Sequence, residues 1–190
     1  MTIVTDPFDP TKLGLPFPKI DADVVTVSHQ HQDHNFLAGI KGEYICFDSP
    51  GEYEIKTAEI RAIPGCHDDK DGLERGENTI FTYEVDGINL CHLGDQGKEL
   101  SSEQLDKMDG VDILMIPVGG KYTIDAKQAA KVISEVEPKI VLPMHYKSGN
   151  MTDIDPIDTF LKEIGLEAKK SDRLKILKKD LPETMEVWVI

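Results

Sequence analysis

Residues 24–34 read Val24-Val25-Thr26-Val27-Ser28-His29-Gln30-His31-Gln32-Asp33-His34, an apolar run followed by a cluster of histidines. The run 23–28 is short, mostly β-branched and bounded by polar residues, which predicts a buried strand. Four side chains that can bind a metal ion follow on the loop that leaves the carboxyl end of this strand: His29, His31, Asp33 and His34. This loop is therefore the first candidate for a functional site.

The spacing of these four side chains suggests two neighbouring metal ions. Residues two apart in an extended chain share a face, so His29 and His31 can bind one cation. Asp33 and His34 come after the chain turns and can point at a second cation. Imidazole and carboxylate together suit Zn²⁺, Mn²⁺ or Fe²⁺ and do not suit Ca²⁺. The alternative is a polar loop with chance histidines, but three of the six histidines of the chain fall in one hexapeptide.

Length and charge limit the class of protein. A chain of 190 residues predicts one large domain, 1–190, with a core that needs no disulfides. The formal net charge of −14 argues against a nucleic-acid-binding groove, which needs a basic stripe. We therefore expect a small-molecule substrate as the partner.

The cysteines and the N-terminus predict a cytoplasmic protein. The three cysteines are scattered without a Cys-x-x-Cys motif, which favours reduced thiols: Cys46, Cys66 and Cys91. The first residues have neither the basic segment nor the apolar segment of a signal peptide. No apolar run reaches the roughly 18 residues of a membrane span, so no membrane association is expected.

The predicted elements change character along the chain, from paired strands to alternating strands and helices. Strands are expected at 2–5, 23–28, 43–47, 52–55, 58–63, 79–85, 88–92, 112–116, 139–143, 174–177 and 185–190. Asp86-Gly87 predicts a two-residue hairpin between two of them. A short helical turn is expected at 36–40, whereas the proline-rich stretch 9–18 is expected to be a loop.

Three helix starts are predicted in the second half. Ser101 with Gln104, and Asp125 with Gln128, each fit a capping box, in which two side chains bind each other's backbone. Asp155 fits an N-cap that is followed by proline at the first helical position.

Further metal-binding side chains follow later strands. His67 lies in the loop 64–69 that follows the strand at 58–63, Asp95 follows Gly94 after the strand at 88–92, and His145 follows the strand at 139–143. Residues 70–78 are charged and contain two glycines, which is typical of a solvated hairpin loop, although a loop beside a histidine can also form the rim of a pocket.

These motifs, taken together, resemble the metallo-β-lactamase superfamily. The likeness rests on His29-x-His31-x-Asp33-His34, His67, Gly94-Asp95 and His145 in that order, and it covers the chain from Asp6 onward. A narrower likeness is to the hydrolases related to L-ascorbate-6-phosphate lactonase. It is carried by 51–52, 94–95, 117–120 and 143–147.

The resemblance implies an α/β fold, a four-layer αβ/βα sandwich with metals at one edge between two sheets. It also implies how two divalent ions would be held, with zinc favoured and manganese or iron as alternatives. One ion would take His29, His31 and His67. The other would take Asp33, His34 and His145. Asp95 and a hydroxide would bridge the two ions, which makes Asp95 and Asp33 the candidate catalytic residues, Asp33 as a metal ligand that also accepts a proton.

Several other polar residues have weaker assignments. The resemblance places Asp6 near the site, where it would orient a ligand histidine, although capping a turn is an equal alternative. His92 lies inside a strand, so a core histidine or a partner behind the ligands is favoured over a direct ligand. Four residues are candidates to contact an anionic substrate, although each lysine is more usually a solvated surface residue: Lys121, Tyr122, Tyr146 and Lys147.

The N-terminus departs from the superfamily pattern. The superfamily usually begins with one more strand, whereas here Met1 leads almost directly into the strand that ends at Asp6. A missing strand would expose a sheet edge. A second copy of the chain could cover that edge, so a homo-oligomer is one expectation.

The leading function is a metal-dependent hydrolase in which a hydroxide bridging two metals attacks a small ester, lactone or phosphorylated metabolite. The alternative is a metal-stabilised binding module of the same fold without turnover. A nuclease of this superfamily would show a basic patch, and an antibiotic-hydrolysing member would carry an export signal. A diiron oxygen-reducing member would have Glu where this chain has His31.

Overall fold

The fold is built on two sheets of unequal size. The structure, a computed structural model, describes residues 1–108 and 110–190. Within these residues, the smaller sheet has three parallel strands in chain order: β1 (Ile3–Thr5), β2 (Val24–Thr26) and β3 (Ile45–Phe47). β1 pairs with β2 alone among the described strands, so it forms an edge of this sheet.

The larger sheet has eight strands in the described part of the chain. Its members are β4 (Gly51–Ile55), β5 (Ala58–Cys66), β6 (Glu77–Val85), β7 (Ile88–His92), β8 (Ile113–Pro117), β9 (Ile140–Met144), β10 (Ala168–Lys170) and β11 (Glu186–Val189). Their order is β10-β11-β9-β8-β7-β6-β5-β4, antiparallel from β4 to β7 and parallel from β7 onward. The β6–β7 hairpin is confirmed, with Asp86 at φ 52° and Gly87 at φ 73°, as a type I′ turn requires.

Two of the four described helices begin at the capping boxes that the sequence predicts. They are α1 (Pro10–Leu13), α2 (Ser102–Lys107), α3 (Ala126–Val136) and α4 (Ile157–Ile164). Both predicted capping boxes, at the start of α2 and of α3, are confirmed. The predicted cap of α4 is wrong, because Pro156 itself is the N-cap residue and no side chain caps this helix.

The core has two main layers, one on each face of the larger sheet. On one face, Val132 of α3 and Phe160 of α4 pack with Ile116 and Val141, all of them essentially inaccessible to solvent. The opposite face packs Phe81 and its neighbours against the smaller sheet. Each such side chain contributes about 1.5–3 kcal/mol on burial, so these layers fix the positions of the strand ends.

Two further sequence predictions are corrected by the fold. The stretch 9–18 contains α1, whose first turn is capped by Asp9. Residues 174–177 form no strand: Leu174 and Ile176 pack beside Trp188, so their alternating pattern covers the sheet instead of pairing with it. The strand in this region is β10, whose residues have poor strand propensity and are held by parallel pairing with β11. No described helix is long and apolar enough to cross a membrane.

Candidate metal centre

The predicted ligands converge because each follows the carboxyl end of a strand. The loop after β2 carries His29 to His34, and β5, β7 and β9 are followed by His67, Asp95 and His145. Asp95 lies at the centre, buried at 3 % exposure. Its Oδ2 lies within 4 Å of four imidazole Nε2 atoms: 3.2 Å from His67, 3.3 Å from His145, 3.4 Å from His34 and 3.9 Å from His29.

Two groups of ligand atoms meet at this carboxylate. Within each group the donor atoms are no more than 4.8 Å apart: His29, His31 and His67 in one, and His34, Asp95 itself and His145 in the other. Asp6, His29 and His34 also lie within this distance of one another. The Asp33 carboxylate lies 3.9 Å from His34 Nε2, beside the second group. The structure therefore brings all seven sequence-predicted ligands to one site.

Some of these atoms are buried without a hydrogen-bond partner. Among the described residues, this is true of His29 Nε2, Asp95 Oδ1 and His145 Nδ1, together with His92 Nδ1. A buried polar atom without a partner costs about 1–3 kcal/mol. A cation held by these residues would give the His29 imidazole and the Asp95 carboxylate a partner, and their chemistry suits Zn²⁺, Mn²⁺ or Fe²⁺. The residues present therefore fit a metal centre.

Asp6 links the two groups from behind. Its Oδ2 accepts hydrogen bonds from His34 Nδ1 at 2.9 Å and from Ser28 Oγ at 2.5 Å, and its Oδ1 accepts one from the Ser28 backbone N–H at 2.7 Å. Ser28 Oγ in turn lies 2.9 Å from His29 Nδ1. With Ser28 donating to Asp6, the hydroxyl oxygen accepts the His29 Nδ1–H, so the Nε2 atoms of His29 and His34 are both left free to bind metal.

His92 lies behind the site, outside both ligand groups. It is buried on β7, and in its protonated form it is close enough to Asp6 to stabilise the Asp6 carboxylate. Burial acts to raise the pKa of Asp6, but the charges of His92 and His34 outweigh it and lower the pKa below its ordinary value. Asp6 is therefore ionised at neutral pH and holds the His34 ring by a charged hydrogen bond.

The electrostatics of the metal-free site separate two of its histidines. Burial, and next the charge of His34, lowers the pKa of His29 to about 3. Burial also acts to lower the pKa of His34, but Asp95 and Asp6 outweigh it and raise the pKa to about 9. Although burial disfavours its ionisation, Asp95 has a pKa well below the ordinary value because His34 faces it. At pH 7.5 the metal-free site therefore holds a proton on His34 and none on His29.

The sequence reasoning missed how His67 is oriented. Its Nδ1 lies 3.1 Å from the backbone carbonyl oxygen of Tyr122, to which it donates a proton, so Nε2 faces Asp95. No signal in the sequence could have shown this, since every residue has a carbonyl. Of the four candidates for substrate contact, Tyr122 lines the cleft over the site, Lys121 pairs with Asp153 and Tyr146 packs against the core.

The loop after His67 is more ordered than the solvated hairpin that its composition favours. The Asp68 carboxylate accepts hydrogen bonds from four backbone N–H groups, those of Lys70, Gly72, Glu74 and Arg75, at 2.7–3.0 Å. Burial acts to raise the pKa of Asp68, but these bonds, with that from Arg75 first, lower it to about 2. The loop therefore forms a fixed rim, which was the alternative considered for 70–78.

A cleft of about 490 Å³ opens over the site. Its floor includes His31, His67, Asp95 and His145, and its walls include Lys12, Arg75, Tyr122, Met151 and Asp153. Space of this size suits a small molecule.

The comparisons with known proteins identify the chain. A family model described as a beta-lactamase superfamily domain matches residues 1–145. The chain belongs to the metallo-β-lactamase superfamily. A "UPF0173 metal-dependent hydrolase" from Carboxydothermus hydrogenoformans is 31 % identical over 74 % of this chain and 76 % of the relative. Another UPF0173 metal-dependent hydrolase, from Thermococcus onnurineus, is 28 % identical over 88 % of this chain and 86 % of the relative.

A solved structure agrees with this assignment. A Thermotoga maritima chain, provisionally named a Zn-dependent hydrolase of the metallo-β-lactamase superfamily, superposes with a TM-score of 0.81 and 35 % identity. The match covers 98 % of this chain and 88 % of that one. The predicted mixed α/β metallo-β-lactamase fold is confirmed, and within the superfamily this chain belongs with the UPF0173 metal-dependent hydrolases.

Replacing Asp6 with asparagine is expected to weaken metal binding about 10- to 100-fold, because partners that orient a ligand histidine have effects of this size. The amide keeps the shape of the carboxylate but has no negative charge. It therefore forms weaker hydrogen bonds with Ser28 and His34. Competition with a chromophoric chelator measures the change. Asp9→Asn, at the nearby cap of α1, is the control. If the metal affinity of Asp6→Asn were unchanged, Asp6 would only cap the turn and would not orient a ligand histidine.

Loading Zn²⁺ at pH 7.5 is expected to release about one proton from His34, since an imidazole must be deprotonated to bind metal. The raised pKa of about 9 means that this proton is fully bound at lower pH and is lost as pH rises through 9. The number of protons that zinc binding releases from His34 should therefore be about one at pH 7.5 and should fall toward zero above pH 9. Calorimetry in buffers of different ionisation enthalpy counts the protons. In His34→Gln the count should drop by about one, and an unchanged count would contradict the assignment.

Proposed function

We propose that the chain is a dinuclear metal-dependent hydrolase that acts on a small ester, lactone or phosphorylated metabolite. The observation that carries the proposal is the position of Asp95, whose single Oδ2 faces imidazoles of both ligand groups. A carboxylate in this position can be shared by two cations. The likeness to L-ascorbate-6-phosphate lactonase in 94–95 and 143–147 favours the same reaction class.

The proposed centre uses the residues that the structure brings together. His29, His31 and His67 would hold one ion, Asp33, His34 and His145 the other, and Asp95 both. Zinc is the favoured metal, with manganese or iron as alternatives. Ions held there would supply an acidified water molecule and positive charge beside the scissile bond.

The protein's own groups would set the geometry of the reaction. Asp6 and the Tyr122 carbonyl hold three of the ligand rings in place, directly or through Ser28. Asp33 is half-buried and lines the cleft. There it would bind metal and would also accept a proton from the attacking water. The walls of the cleft restrict the substrate to a small molecule.

Two features bear on where and in what form the protein works. Its three cysteines are free thiols, which supports a cytoplasmic location. The edge of the smaller sheet at β1 offers backbone groups with which a second copy of the chain could pair.

Metal content and turnover test the proposal together. Protein purified without chelator should contain about two first-row metal ions per chain by elemental analysis. A panel of esters, lactones and phosphodiesters should then reveal hydrolysis that a chelator removes and added metal restores. Two bound ions without turnover across the panel would favour the binding module. No metal after soaking in Zn²⁺ and Mn²⁺ would refute the metal centre.

A further inference from the structure

Arg75 lies on the wall of the cleft with its guanidinium group over the Tyr122 ring, 4.6 Å from the ring centroid. The carbonyl oxygen of Tyr122 orients His67, so the stack stands directly beside a predicted metal ligand. An arginine stacked on an aromatic face keeps its N–H groups in the plane of the guanidinium, at its edge. Those donors are then available to a molecule in the cleft.

Three of the acidic residues near Arg75 are paired with other cations. Glu74 pairs with Lys70, Asp71 with Lys98, and Asp153 with Lys121. The Arg75 side chain is exposed, and its guanidinium group contacts the Tyr122 ring. Among the described residues, no ion pair joins Arg75 to a carboxylate. Its charge is therefore not neutralised by the acids that flank it.

The backbone at Arg75 is fixed in place. Its N–H donates to Asp68 Oδ2 at 2.7 Å, and the preceding N–H donates to the same oxygen at 3.0 Å. Asp68 directly follows His67, so the loop that carries Arg75 is tied to the metal site at its base. The backbone that carries this cation therefore needs no further ordering when a ligand binds.

We propose that Arg75 binds an oxyanion on the substrate, a carboxylate or a phosphate group away from the scissile bond, and so selects anionic substrates over neutral ones. The guanidinium edge matches such a group with two parallel hydrogen bonds. Lys12, on the wall of the same cleft, adds positive charge. A chain with net charge −14 repels anions overall, so it needs such a local site to bind one. The proposal rests on the hydrolase function proposed above.

Paired substrates test the selectivity. A 4-nitrophenyl ester of butyric acid and the half-ester of glutaric acid differ mainly by a terminal carboxylate; a lactone with a free hydroxyl and the same lactone with a phosphate monoester form the second pair. In Arg75→Gln, KM for the preferred anionic substrate should rise about 10- to 100-fold, and KM for its neutral partner should not change. Which pair responds distinguishes the carboxylate from the phosphate.

Two variants control for charge and shape. Arg173→Gln removes an arginine that does not line this cleft, so it should leave the anionic preference unchanged. Arg75→Lys keeps the charge but loses the planar pair of donors, and it should recover only part of the preference. Equal loss on neutral and anionic substrates, or the same loss in Arg173→Gln, would overturn the assignment.

Chemical modification tests anion binding without turnover. Phenylglyoxal modifies exposed guanidinium groups, and the chain has three arginines, so Arg61 and Arg173 serve as internal references. Glutarate or inorganic phosphate should slow modification of Arg75 and leave Arg173 unaffected, as followed by mass spectrometry. The effect should be present in the metal-loaded protein and persist in metal-free protein, which excludes shielding by an anion on the metals.

The two readouts separate failure of this inference from failure of the proposed function. Protection of Arg75 in a protein that hydrolyses nothing would support the anion site and count against the hydrolase. Turnover with no protection by either anion, and no change of selectivity in Arg75→Gln, would leave the hydrolase standing and overturn the role of Arg75.

Discussion

Replacing Asp95 with alanine is expected to reduce turnover by at least about 10³-fold while the protein still folds. Asp95 is the buried carboxylate between the two ligand groups, within 4 Å of four histidine nitrogens. Without it, two cations would face each other with less negative charge between them. We therefore expect at least one ion to be lost. Elemental analysis, circular dichroism and the rate on the best panel substrate measure these effects.

The fold should survive because the substitution also removes a charge from a buried position. Asp95→Asn keeps the shape and should lose turnover to a similar degree. Asp153→Ala is the matched control, since this carboxylate lines the same cleft but pairs with Lys121 and the Tyr122 hydroxyl. Asp153→Ala should retain both metal ions. An active Asp95→Ala variant would refute the shared role of Asp95.

Replacing Gly97 with alanine is expected to lower the free energy of unfolding by about 3 kcal/mol, the upper end of the cost of overpacking. A Cβ at Gly97 would lie 2.3 Å from the Asp68 backbone nitrogen and 2.4 Å from the His67 carbonyl carbon. Gly97 N–H also donates to the Cys66 carbonyl at 2.8 Å. Because the added Cβ would clash with backbone atoms and not with a movable side chain, the loops that carry Asp95 and His67 would have to separate to make room for it.

The variant should therefore lose metal as well as stability. Urea unfolding and metal analysis measure the two effects. Gly51→Ala is the control, because its added Cβ would meet the Tyr53 hydroxyl at 3.0 Å, which is the far end of a side chain and not backbone. We expect that control to change stability by less than about 1 kcal/mol. A Gly97→Ala protein with normal stability and normal metal content would mean that the two loops are not locked together.

The sequence predicts which side chains meet at the site better than it predicts what orients them. His67, Asp95 and His145 could be placed at one site because each follows the end of a strand, and strand ends have clear patterns of apolar runs and turn residues. The strand at 174–177 was wrong because alternation shows which side chains are buried, not whether the backbone pairs. The capping boxes were right because a cap depends on residues three apart in the chain.

The support of the site depends on contacts between distant segments. In the sequence, Ser28 is an ordinary residue at the end of a strand, and its role is visible only when the fold brings Asp6 beside it. In the same way, Arg75 is one residue of a charged loop, and its position is explained only by its contact with the Tyr122 ring. Asp68 could have been recognised as a turn residue, since aspartate binds nearby backbone N–H groups in many turns. Its four partners, however, include residues up to seven positions away, which turn statistics do not cover.

Tyr122 combines two contributions that evolution can change independently. Its main-chain oxygen steadies His67, and any amino acid would supply that atom, whereas its aromatic ring supports Arg75. Under the proposed role of Arg75, mutation at position 122 would alter which molecules the cleft binds without disturbing the contact that orients His67. A lineage could thus acquire new substrates at positions 122 and 75 through single substitutions, each passing through a protein that keeps the proposed metal centre.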